Sequence, residues 1–257
     1  MLNANEILCY ESIKCKGDWQ EIYKNIQNRE IIDEEECRKV LNNCKRKFIT
    51  ILDNNYPENL KNVFRPPFVL FYEGDISLIE DYTKNLAIVG SREPSKYSLE
   101  SMDKILSEIG NEFNVVSGLA IGTDAHAHEL SLKNKGKTIA VLGCGLDCKY
   151  PLSNFELRQR IIKNGLLLSE YPDGCEPKPE NFPIRNRIII GLCKSIMAFD
   201  VREQSGTLCS ANLAVEYNRN LLSIPYPICS SNLNNDLIKN GALLIENGED
   251  IRLAMEH

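Results

Sequence analysis

Six apolar runs of strand length, separated by amphipathic helical stretches, predict an α/β protein. The runs at 86–89, 113–116, 138–142, 166–168, 196–201 and 221–224 are continuous rather than alternating, the pattern of parallel strands buried on both faces. Helical stretches near 99–109, 124–134, 155–163, 185–192 and 208–217 lie between them. The expected architecture is a Rossmann-like, doubly wound, mostly parallel sheet preceded by a short α-rich segment.

The elements follow in chain order. Residues 1–47 read as a short helical region rich in Glu and Lys, with Ile22, Ile26, Val40 and Leu41 at helical spacings. Asp33 followed by Glu36 resembles a capping box. Lys45-Arg46-Lys47 is either a charge set at a helix C-terminus, where cations are favoured, or a DNA patch. Residues 48–84 form a linking segment with strand-like runs at 48–52 and 68–72 and turn signals at Asn54-Asn55-Tyr56-Pro57 and Arg65-Pro66-Pro67. The main domain spans 85–257.

Composition narrows the function. The chain has 257 residues, 43% hydrophobic and 26% charged, as in ordinary globular proteins. No run approaches the ~20 apolar residues of a membrane span, and Met1-Leu2-Asn3-Ala4-Asn5-Glu6 lacks signal-peptide character, so a cytoplasmic protein is expected. Net charge is −6. Residues 1–84 carry 12 Lys/Arg against 15 Asp/Glu and residues 85–257 carry 18 against 21. Nucleic acid, if bound, is therefore expected in a local pocket rather than along a basic surface. The ten cysteines contain no paired C-x-x-C and read as reduced, mostly buried thiols. Asp124 and His128 share a helical face while His126 points elsewhere. One carboxylate and one imidazole make neither a zinc site nor an acid–base pair, so no metal, no cofactor and no catalysis are expected.

Ligands of doubly wound sheets bind at the carboxyl ends of the strands, where the Gly/Ser signals sit. Gly90-Ser91-Arg92 follows Val89, Ser117-Gly118 follows Val116, Gly143-Cys144-Gly145 follows Leu142 and Ser205-Gly206-Thr207 comes after Val201. None forms the G-x-G-x-x-G dinucleotide fingerprint or a P-loop. Bare backbone amides at helix starts suit phosphates. Ser205-Gly206-Thr207 is either a plain helix N-cap or such a contact. After the fourth strand, Lys178, Phe182, Arg185, Asn186 and Arg187 end a proline-stiffened loop that leads into a helix at Arg185. Phe182 is either a hydrophobic staple for that helix or a ring for stacking a base. Arg185 and Arg187 do not share a helical face, so one is expected to meet phosphate and the other a structural carboxylate.

The order of these elements resembles the DNA-processing DprA/Smf family. The match runs through Tyr56-Pro57 with Leu60, Pro66-Pro67, Leu70 and Gly74, then Ala87-Ile88-Val89-Gly90-Ser91-Arg92. It continues through Ser117-Gly118-Leu119-Ala120 with Gly122, Asp124 and His128, the loop Gly143-Cys144-Gly145-Leu146-Asp147, and Leu168-Ser169-Glu170-Tyr171-Pro172. Phe182-Pro183 with Arg185-Asn186-Arg187 is its most specific element; Ser205-Gly206-Thr207, Ala211, Leu237-Ile238 and Gly241-Ala242 complete it. The resemblance implies a single-stranded-DNA-binding homodimer that protects incoming DNA and loads the RecA recombinase in natural transformation or recombination. It places the DNA pocket on Arg92, Ser117-Gly118, Phe182, Arg185 and Arg187, with Lys178 beside them. Leu237-Ile238 and the apolar residues 242–245 are the expected dimer contact. Ile121 stands where many members have an arginine, Tyr226 replaces a glycine, and Asn218 replaces another at a helix end. The alternative is a nucleotide-binding sensor or a nucleotide-sugar hydrolase of the same superfamily. The phosphoribohydrolase pattern P-G-G-x-G-T-x-x-E is not met, because Leu208-Cys209-Ser210 follows Thr207 without a glutamate.

Overall fold

The structure, a computed structural model, describes residues 2–256. In chain order it forms α1 (Ala4–Lys14), α2 (Trp19–Gln27), α3 (Glu34–Asn43), β1 (Lys47–Thr50), α4 (Glu58–Lys61) and β2 (Val69–Gly74). The alternating portion follows: β3 (Asn85–Val89), α5 (Lys96–Ile109), β4 (Asn114–Ser117), α6 (Thr123–Lys133), β5 (Thr138–Leu142), α7 (Phe155–Asn164) and β6 (Leu166–Ser169). It closes with α8 (Asn181–Gly191), β7 (Ser195–Ala198), α9 (Gly206–Glu216), β8 (Asn220–Ser223), α10 (Asn234–Lys239), β9 (Leu243–Leu244) and α11 (Gly248–Glu256).

Among the described residues the strands make one nine-stranded sheet in the order β1-β2-β6-β5-β4-β3-β7-β8-β9. The strands from β3 onward pair in parallel, as expected of a Rossmann-like protein. β2 adds antiparallel to β6, and β1 antiparallel to β2. The order runs outward from β3 through β6 on one side and from β7 through β9 on the other. Its reversal therefore lies between β3 and β7, and a crevice opens there at the strand C-termini.

Each central strand is buried on both faces. Ala87 and Val89 pack with Ile188, Ile189 and Ile190 of α8 on one side. Leu86 and Ile88 pack with Met102, Ile105 and Leu106 of α5 and Ile251 of α11 on the other. Full burial of one such aliphatic side chain is worth roughly 1.5–3 kcal/mol. Helix α5 forms because Met102, Ile105, Leu106 and Ile109 fall on one stripe; the Ser95 side chain caps its start and Gly110, at φ +59°, ends it. The N-terminal helices cover the β1–β2 flank, with Leu8 and Cys9 packed against Val69 and Phe71. Asp33 caps α3, accepting from the amides of Glu35 and Glu36. Arg46 pairs with Glu73 and, at 2.7 Å, with Asp173, so this basic cluster helps to tie the helical region to the sheet. All ten cysteines are free, and Cys9, Cys15, Cys37, Cys144 and Cys193 are buried.

Of the boundaries that differ from the sequence reading, two bear on the site. Strand β7 stops at Ala198, because Asp200 takes a left-handed φ of +46°. Helix α8 begins at Asn181 rather than Arg185. Pro183 is its third residue, and a first-turn position has no intrahelical partner for the N–H that proline lacks. Phe182 is therefore inside the helix, not a staple ahead of it.

Candidate functional site

Three loops and the start of α8 meet at the β3/β7 crevice. The turn after β3 is drawn tight against α6: the Ser91 carbonyl accepts from the Thr123 amide at 3.1 Å and from its hydroxyl at 2.9 Å. Gly90 is required there, since a Cβ would sit 2.5 Å from the Thr123 side chain. The turn leaves Arg92 exposed at the mouth of the crevice. Its guanidinium lies over the Phe182 ring, 5.9 Å from the centroid. Tyr150 tilts against the same ring at 5.5 Å and 34°.

Behind these rings lies Arg185, only 4% exposed. Its Nη1 donates to the carbonyls of Gly118 (2.8 Å) and Val141, and its Nε to Asn186 Oδ1 (3.2 Å). Gly118 makes room for it, as a Cβ at 118 would come within 2.4 Å of Nη2. Burial lowers the Arg185 pKa, opposed by the nearby Asp124 carboxylate. Asp124 Oδ2 accepts from the amides of Gly118 (3.2 Å) and Ala120 (3.3 Å), holding the β4–α6 loop in place. Burial raises the Asp124 pKa, with Arg185 acting against the shift. His128, wholly buried, bonds the Thr138 hydroxyl through Nδ1 at 2.6 Å. Burial first, and the Arg185 charge second, push its pKa down to about 3.

Two connected cavities result. An open cleft of about 610 Å³ runs from Gly90, Ser91 and Arg92 past Phe182 and Asn186 to Ser205, Gly206 and Thr207. A smaller slot of about 90 Å³ leads off it, walled by Ile121, Leu142, Cys144, Tyr150 and Phe182, with Arg185 also lining it. At the far end of the cleft Ser205 is the N-cap of α9, its Oγ accepting from the Leu208 amide at 3.1 Å. Three of the eight non-glycine residues with positive φ among the described residues lie beside these cavities: Leu119, Asp200 and Gln204, at φ of +56°, +46° and +53°. Such conformations persist only where neighbours over-determine them. Asp200 is held by Ser95, Ser98 and Asn232, and its amide donates to the Tyr226 hydroxyl at 2.9 Å. Tyr226, whose hydroxyl also meets Ser98 Oγ at 2.5 Å, thus has a structural task.

Three candidates lie elsewhere. The Ser117 hydroxyl is buried and donates to the Ile88 carbonyl at 2.6 Å, between strands and away from both cavities. Lys178 and Arg187 line a second cleft of about 620 Å³ beside the N-terminal helices. Arg187 is held there by Glu170, at 2.7 Å and 2.6 Å, a carboxylate partner of the kind expected for one of the two arginines. Sequence reasoning missed Tyr150 and Arg202, both at the crevice. The Tyr-Pro pair at 150–151, close after a glycine loop, was the available signal for the first.

The fold and crevice define a Rossmann-like protein that presents a cation over an aromatic ring where the strand order reverses. The family of DNA recombination-mediator protein A matches residues 47–256, and the chain belongs to it. It is 40% identical over 209 residues to the DNA processing protein DprA of Streptococcus pneumoniae, covering 80% of this chain and 73% of that one. It is 42% identical over 182 residues to the Smf protein of Synechocystis, covering 70% of this chain and 46% of that one. The X-ray structure of the Streptococcus pneumoniae protein superposes with a TM-score of 0.83 at 32% identity over 98% of both chains. The DNA processing protein A of Helicobacter pylori superposes at 0.74 and 31% identity, over 84% of this chain and 98% of that one.

Proposed function

We propose that this protein binds single-stranded DNA in the β3/β7 crevice and acts by holding the strand, without turnover chemistry. The observation that carries the reading is the Arg92 guanidinium over the half-buried Phe182 ring, one group suited to a phosphate and the other to a base. Phosphates meet the Gly90-Ser91-Arg92 turn, the Gly118 loop and the start of α9 at Ser205-Gly206-Thr207, with Asn186 beside them. A splayed base meets Phe182 above Arg185. Lys178 and Arg187 line the second cleft, and Arg187 is paired there with Glu170, so both stand outside this pocket. The Helicobacter pylori relative, described for its single-stranded DNA binding mode, supports the same ligand here. Single strands are favoured because an unpaired base leaves the stack freely, whereas a duplex must first be opened at a cost of a few kcal/mol.

Membership of the recombination-mediator family supports a role in delivering bound strands to the RecA recombinase, in the cytoplasm. A homodimer is supported by β9, an edge strand whose Leu243 and Leu244 are each more than 40% exposed; such edges favour pairing with another chain. Light scattering at tens of micromolar should return twice the chain mass, and a monomer mass contradicts the dimer. The ligand itself is tested by titrating fluorescent single- and double-stranded oligonucleotides with mononucleotides as competitors. The single strand should bind more tightly and mononucleotides should compete poorly. Tight mononucleotide binding with no oligonucleotide preference would instead indicate a nucleotide sensor.

A further inference from the structure

Across the first turn of α8 from the crevice lies an aromatic array. Trp19, the only tryptophan in the chain, opens α2 and lines the second cleft. It stacks on Phe68, with centroids 5.2 Å apart and planes 19° from parallel, and on Tyr23, at 5.0 Å and 10°. Arg65 lines the same cleft, its guanidinium 5.7 Å from the Trp19 ring centroid and 4.9 Å from that of Phe64. The turn carrying Phe64 and Arg65 is pinned from two sides. Trp19 Nε1 donates to the Pro66 carbonyl at 2.8 Å, and Arg187 Nε to the Arg65 carbonyl at 2.9 Å. Under that restraint Arg65 keeps a left-handed φ of +52°. The outer rings are nevertheless open to solvent, Tyr23 at 46% and Phe64 at 61% exposure. Charge gives this cleft a different character from the Arg92 turn. Arg187 is spent on Glu170, and Lys16, Arg65 and Lys178 are offset by Asp18, Glu21, Glu176 and Glu180. No positive excess is left to draw a chain of phosphates. Rings and a planar guanidinium take a π-face instead.

We infer that Tyr23, Trp19, Arg65 and Phe64 form a second platform, on which unpaired bases stack where a single strand runs out of the crevice over the start of α8. This rests on the DNA-binding reading above. The two clefts adjoin along one short stretch of chain: Pro179 and Phe182 line the crevice, Lys178 and Asn181 the second cleft. A strand too short to cross that helix turn, about 10 Å thick, occupies the crevice alone. The crevice supplies the phosphate contacts, and the platform adds stacking that tolerates any base, since every base has a π-face. Its contribution neutralises no further phosphate and so leaves the salt dependence of binding as it was.

The test uses the unmodified protein and two single-stranded oligonucleotides, about four and about twelve nucleotides long. Binding is followed by the anisotropy of a dye on the strand, and the platform by the intrinsic fluorescence of Trp19 with unlabelled strands. Both strands should bind, and only the longer should quench Trp19. An unchanged Trp19 signal with the longer strand bound overturns the platform while leaving the crevice reading intact. Quenching by the short strand as strong as by the long one overturns the assignment to the outgoing segment. Absence of binding by either strand overturns both readings. Replacing both exposed rings, Tyr23→Ser with Phe64→Ser, should weaken the longer strand about tenfold. The shorter strand should bind as before, and the log–log salt slope of the longer one should not change. An equal loss for both strands, or a reduced slope, overturns the stacking role. Should that variant not fold, the Trp19 signal of the parent decides alone.

Discussion

Helix α8 separates two clefts of nearly equal volume, and its two arginines have opposite fates. Arg187 faces the cleft beside the N-terminal helices and is neutralised by Glu170, both side chains 5% exposed. Arg185, more than half a turn away, faces the β3/β7 crevice. It is held there by the carbonyl oxygens of Gly118 and Val141. The cleft with the ion pair is lined by Asp18, Glu21, Glu176 and Glu180 together with Lys16, Arg65 and Lys178. The crevice carries Arg92 and Arg202 with the Gly90 and Gly206 turns, beside Asp124, Asp200 and Glu203. Neither cavity volume nor the sum of lining charges distinguishes the two regions; the partners of the two α8 arginines do.

The largest expected effect concerns the base of the crevice and is read by pH. His128 has a folded pKa near 3 against an ordinary 6.5, so between those values the unfolded chain binds more protons. Stability is therefore full above about pH 6.5 and falls as pH drops toward 3, by at most about 5 kcal/mol. Denaturant titrations across this range should show a shallower acid loss for His128→Asn than for the parent; parallel curves would remove His128 from the account. Next, Arg187→Met should cost about 3–5 kcal/mol of stability by leaving Glu170 buried and unpaired, and adding Glu170→Gln should restore much of it. If Arg187→Met were as stable as the parent but failed to bind DNA, the division between the two clefts would be wrong. Smaller again, Phe182→Leu should weaken single-strand binding by about 1–3 kcal/mol through lost stacking, measured by anisotropy.

Much of this arrangement was legible beforehand, for physical reasons that also mark where legibility ends. Residues 138–142 read as a strand and form β5 with the same ends, because a strand covered on both faces needs an unbroken apolar run. The addition of β2 to β6 was not readable: it joins residues 69–74 to 166–169, and nothing local to either announces the partner. Helical spacing separated Arg185 from Arg187, but which one meets a carboxylate depends on Glu170, which the end of β6 brings against α8 across the intervening loop. Pro183 read as a loop residue because a proline usually marks a break, yet in a first helical turn it is harmless. Tyr150 escaped notice since its stacking against Phe182 is fixed only by the folded loop after β5.

The central claim, a strand held by phosphate contacts at Arg92 with a base on Phe182, is tested most directly by the salt dependence of single-stranded DNA binding. Arg92→Ala leaves an exposed turn and should change stability by no more than about 0.5 kcal/mol. It should weaken binding to all sequences alike and reduce the log–log salt slope by about 0.7 for the one lost phosphate contact. Phe182→Leu should weaken binding with that slope unchanged. An Arg92→Ala protein that binds oligonucleotides as tightly as the parent, with the parent's slope and with mononucleotides competing, would contradict the account.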